Sequence, residues 1–142
     1  MTSIKTQQDL AIFLLRITLA AGFLSATASR LNLWGRHSSG WKNFVHSTAE
    51  TNSFLPQSFA PSIAAVSTLA ELSMGILLLI GYQISKTALC ASVLTLLFAI
   101  AMGISFGLKE PLDYSVFVFS ASSFLLSTFP RYKWSLDQLL HP

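Results

Sequence analysis

Residues 60–82, APSIAAVSTLAELSMGILLLIGY, form an apolar run with one carboxylate, Glu71, near its middle. About 20 apolar residues at about 1.5 Å each match a hydrocarbon core of about 30 Å, so the stretch reads as a membrane-spanning helix. A carboxylate at that depth is costly unless it is paired or turned toward protein. Helical spacing places Ser67, Glu71 and Gly75 one above the other, with Thr68 beside them. That small, polar face is expected to meet other helices, while the Ile, Leu, Val and Met faces meet lipid.

The rest of the chain has the same character. Of its 142 residues 52% are hydrophobic and only 11% are charged, against about a quarter charged in a soluble domain. One integral membrane domain over 1–142 is therefore expected. The nine basic residues are scattered between apolar runs, so no surface for nucleic acid is expected.

Four spans are expected, near 9–29, 61–82, 87–107 and 112–129, giving an all-α membrane protein built as a four-helix bundle. The first competes with a secretory signal peptide ending at Ala26-Thr27-Ala28, but Arg16 splits its apolar run and favours a retained span. The long polar connection between spans one and two repeats Trp41, Phe44, Val45 and Thr48 at helical spacing. It is expected to form a short interfacial helix or an ordered loop, with Trp34 and Trp41 at headgroup level. The third span lines Ala88, Ser92, Thr95 and Ala99 along one face, and the fourth carries Ser120, Ser123 and Ser127. Both termini then share one side. The positive charges give a weak preference for placing that side in the cytoplasm of a bacterial inner membrane.

Arg16 and Glu71 are the expected intramembrane polar site, together with Ser67 and Thr68. Counted from the terminal side, Arg16 lies about 10 Å deep and Glu71 about 16 Å, a gap that an Arg side chain spans. Pairing would relieve the cost of two isolated charges. The alternatives are an ion pair that only sets register, a proton, ion or substrate site, and Arg16 snorkelling to the interface. Arg30, Lys109 and Asp113, with Glu110 nearby, are expected to gather at the opposite face as an ion-pairing and capping cluster.

His37, His46 and Glu50 lack the tight spacing of metal ligands, so no metal is expected. With Cys90 alone, dithiol chemistry within one chain is excluded. No catalytic set is assigned.

Three segments carry a resemblance to a known family: LLRITLAAGFLSATASRL in the first span, ELSMGILLLIGY from Glu71, and LKEPLDYSVF from Leu108 to Phe117. The ending RYKWSLDQLL adds to it. The chain resembles the DoxX family of small four-helix bacterial membrane proteins, related to a subunit of thiosulfate:quinone oxidoreductase. The resemblance marks Arg16, Glu71, Lys109 and Asp113 as matching recurrent positions. It implies an accessory or quinone-facing subunit of a membrane redox system, with quinone as the suggested ligand and no certain cofactor. Lipid, redox partner subunits and a second copy of the chain are the partners to expect. A small transporter or lipid- and solute-binding protein with a proton-active Glu71 is the other function class left open.

Overall fold

In a computed structural model, which describes residues 2–140, the chain is built of helices joined by turns and loops, and no strand occurs among those residues. Seven helices follow in order: α1 (Thr2–Arg30), α2 (Trp41–Thr51), α3 (Ala60–Ile80), α4 (Ile84–Phe106), α5 (Lys109–Asp113), α6 (Val116–Ser127) and α7 (Leu136–Leu140). Among the described residues three stretches are long and apolar enough to cross a membrane: Ile4–Arg30, Gln57–Ile80 and Ile84–Phe106. The segment expected as the fourth span is broken. Ser115 takes a left-handed conformation (φ 55°), so α5 stops and the apolar helix starts at Val116 rather than Leu112. At 12 residues, or about 18 Å, α6 is shorter than a span.

α1, α3, α4 and α6 pack around a shared core that includes Leu19, Phe23, Leu78, Ile84 and Leu126. Small residues set how closely they approach. An added Cβ on Gly75 would lie 2.9 Å from Leu24, and one on Gly22 would lie 2.9 Å from Phe119. Phe23 meets Phe119 edge to face at 5.0 Å, joining α1 to α6. The α4 face of Ala88, Ser92, Thr95 and Ala99 is buried as its spacing implies. It packs against α6, where the Ser120 hydroxyl donates to the Ser92 carbonyl at 2.8 Å. In the other direction Val66, Leu69, Leu97 and Ile104 remain exposed, the surface that a bilayer would cover.

The α3–α4 turn is closed from far away in the sequence. Gly81 ends α3 in the left-handed region, its N–H donating to the Leu77 carbonyl at 2.9 Å. The Asp137 carboxylate then accepts the backbone N–H groups of Gln83 and Ile84, at 2.7 and 2.8 Å. It thereby caps the free donors at the start of α4. The C-terminal tail is thus docked on the bundle, and an ion pair between Lys133 and Asp9 ties it to α1.

The register of α1 on α3 decides the polar chemistry. Phe23 and Leu24 lie on Gly75, and Arg16 lies on Gly81. Thr27, rather than Arg16, is therefore about level with Glu71. Relative to the register expected from the span ends, α1 is shifted by about seven residues, or roughly 10 Å. Its first turns project past the α3–α4 turn, and its C-terminal end stops short of the start of α3. α2 packs into the space that this leaves, against α3 and α4. The helical spacing of Trp41, Phe44, Val45 and Thr48 is realised there, with Thr48 buried. The Ser105 hydroxyl of α4 donates to the Thr51 carbonyl at 2.7 Å and fixes the far end of α2.

Candidate functional site

The buried face of α3 presents Ser67, Thr68, Glu71 and Gly75 to the bundle, the stripe read from the sequence. Arg30, the last residue of α1, answers it. Its Nη2 donates to Glu71 Oε1 at 3.1 Å and lies 2.9 Å from Oε2, while Nη1 donates to Thr68 Oγ1 at 3.1 Å. Only 3% of Glu71 and 9% of Arg30 is exposed, so each charge depends on the other rather than on water. The Phe44 ring of α2 closes the site from above, with Arg30 Cζ 3.7 Å from its centroid, a cation–π contact out of water. Ser67 faces the same interior, but its hydroxyl bonds within its own helix, to the Ala64 carbonyl at 3.1 Å. The hydroxyl of Thr27 is buried with no partner among the described residues.

The expected pairing of Arg16 with Glu71 does not form, and helix geometry gives the reason. Side chains on a helix lean toward its N-terminus, so both arginines of α1 reach toward the terminal side of the bundle. From the end of α1 that lean carries Arg30 inward to Glu71. From the level of Gly81 it carries Arg16 outward, where Nη2 donates to the Trp134 carbonyl of the tail at 2.7 Å. Of Arg16 only 3% is exposed, yet its Nε and Nη1 have no hydrogen-bond partner among the described residues. The ring of Phe13 lies 5.3 Å from its guanidinium and meets Trp134 edge to face. The Arg16 guanidinium is thus directed to the tail rather than to the acid of α3.

The opposite-face cluster also divides. Lys109 and Asp113 pair with each other across one turn of α5, both exposed, while Arg30 has left for Glu71. Asp113 ends α5 instead of capping the apolar helix, which begins after Ser115 with no side-chain cap. In α2, His46 Nδ1 lies 3.5 Å from Glu50, one turn on. No group of three metal-ligating side chains occurs among the described residues.

Sequence reasoning missed two participants. Asp137 was legible only as part of a polar tail, and Phe44 only as one apolar position of an amphipathic helix. Outside the spans, Tyr132 joins the tail to α6, its phenol donating to the Leu126 carbonyl at 2.8 Å. Burial raises its pKa above the usual tyrosine value; a hydrogen bond with Ser85 works against this and the Asp137 charge works with it.

These features define a small, all-helical integral membrane protein with a buried Arg–Glu pair where the end of α1 meets α3. The sequence model of the family described as methylamine utilisation protein MauE matches residues 8–113, and the chain belongs to that family. The matched region holds Arg16 and Arg30, α2, Thr68, Glu71, Lys109 and Asp113; the docked tail lies beyond it. No match was found among curated proteins or solved structures. The resemblance to DoxX read from the sequence is thus met only at a coarser level, that of a membrane protein family.

Proposed function

We propose that this chain is an accessory protein of a bacterial inner-membrane redox system, supporting an amine-oxidising enzyme and turning over no substrate alone. The observation that carries the reading is the family match over residues 8–113. That family is associated with the maturation of methylamine dehydrogenase and its redox system. Fold alone would not assign a function, so the site must supply the rest. Arg30, Thr68 and Glu71 form a rigid polar centre under α2, suited to fixing the shape of the face that α2 presents. In this reading α5 and α6 together complete a fourth span, the termini lie in the cytoplasm, and α2 faces the enzyme side.

A second reading rests on the unpartnered Thr27 hydroxyl about level with Glu71. A carboxylate, a guanidinium and a free hydroxyl in the bundle interior can bind a small polar ligand, including a quinone carbonyl. The same groups can also pass a proton.

Purification in mild detergent from native membranes, with identification of co-purifying proteins, tests the accessory role. A redox enzyme should co-purify, and deletion of the chain should lower the amount of that enzyme in its active form. Quinol oxidation by the isolated chain would overturn the proposal. Proton or solute flux in proteoliposomes that is lost in Glu71→Gln would move the assignment to transport.

A further inference from the structure

On the terminal side of the bundle, the first turns of α1, the α3–α4 turn and the tail enclose a groove of about 1200 Å³. Ile12 and Phe129 give it an apolar floor, and Lys5, Lys86 and Arg131 stand around it. Two carboxylates also line it, and both are engaged: Asp9 by Lys133, and Asp137 by the N–H groups that start α4. The three remaining cations are exposed and have no hydrogen-bond or ion-pair partner among the described residues. Such a cavity carries excess positive charge above an apolar base.

We propose that this groove binds the phosphate headgroup of an anionic phospholipid, with an acyl chain leaving along the Ile12 and Phe129 floor. Its depth supports a lipid as the source of the phosphate. The groove lies where α3 ends and α4 begins, at one end of two membrane-crossing stretches, which is headgroup level. Its volume exceeds what a free phosphate fills, and basic pockets between helices at that level suit anionic lipid. Lysine and arginine supply the charge-assisted donors that phosphate oxygens accept. This site is separate from the Arg30–Glu71 centre and does not depend on the accessory role.

Native mass spectrometry of the full chain in mild detergent is the test, with phosphatidylglycerol and phosphatidylcholine offered together. The wild type should retain phosphatidylglycerol preferentially. The triple variant Lys5→Gln/Lys86→Gln/Arg131→Gln should lose that preference by roughly tenfold or more. Lys42→Gln, which removes an exposed charge from α2, should keep it. All three positions in the triple variant are exposed, so its thermal midpoint should stay at the wild-type value. Equal retention of the two lipids, or an undiminished preference in the triple variant, would overturn the proposal. Binding of inorganic phosphate that needs the three cations, without any advantage for phosphatidylglycerol, would overturn the lipid and leave a free-phosphate site.

Discussion

Arg30 and Arg16 stand on the same helix, both almost fully buried, and they solve the cost of a buried charge in opposite ways. Arg30 has a carboxylate, a hydroxyl and an aromatic ring around its guanidinium. Arg16 has one backbone carbonyl from a distant tail and no carboxylate within ion-pair distance among the described residues. The Arg30 centre is thus held by side chains of the family-matched region, whereas the Arg16 centre exists only while the tail is docked. The buried pair joins α1 to α3 within the bundle. A buried cation with no ion pair of its own makes the tail part of the fold.

The largest effect should separate the two arginines directly. Breaking a buried pair from one side costs about 3–5 kcal/mol, whereas removing both partners can be nearly neutral. Arg30→Met and Glu71→Leu should therefore each lower the thermal stability of the detergent-solubilised protein strongly, and the double variant should recover most of the loss. Arg16→Met combined with Glu71→Leu should give additive losses. Coupling between Arg16 and Glu71 as strong as that with Arg30 would break the comparison.

A smaller effect should be confined to the tail. Gly81 has φ +74°, and an added Cβ would lie 2.5 Å from Arg16 Nη1 and 2.6 Å from Ser135 Cβ. Gly81→Ala should cost about 1–3 kcal/mol through strain and steric conflict, and it should displace the tail from Arg16. Limited proteolysis near Trp134 reads that release directly. A tail as protected as in the wild type would show that its docking does not depend on the close approach at Gly81.

The smallest expected effect tests the cover over Arg30. Phe44→Leu keeps an apolar side chain but removes the ring that faces the guanidinium, at a cost of about 0.5–2 kcal/mol. Hydrogen exchange should then quicken in α2 and remain unchanged at the start of α4, which Asp137 holds. Faster exchange at both ends would mean that the two centres are coupled.

Several features followed from local spacing. The polar stripe of α3 and the small-residue face of α4 are visible because positions four apart share a face of a helix whatever it packs against. The helix at Trp41–Thr51 was legible for the same reason. The partner of Glu71 was not. Span ends taken from hydropathy are blurred by polar residues that stay helical, and an error of two turns in α1 exchanges one arginine for the other. The break at Ser115 was also hidden, since LDYSVF reads as a continuous helix until Ser115 takes a positive φ.

By itself the sequence determined that this chain is a helical membrane protein, that its first three stretches are apolar enough to cross a bilayer, and which face of α3 carries the buried acid. Hydropathy and helical period are properties of single segments, and burial in lipid or protein only reads them out. Tertiary structure alone decided that Arg30 meets Glu71, that Arg16 turns to the tail, and that Asp137 caps a helix more than fifty residues earlier. Each of those contacts joins segments far apart in the chain. Their register is set by the close approach of Leu24 to Gly75 and by the docked tail, and side-chain packing of that kind leaves no period in a linear sequence.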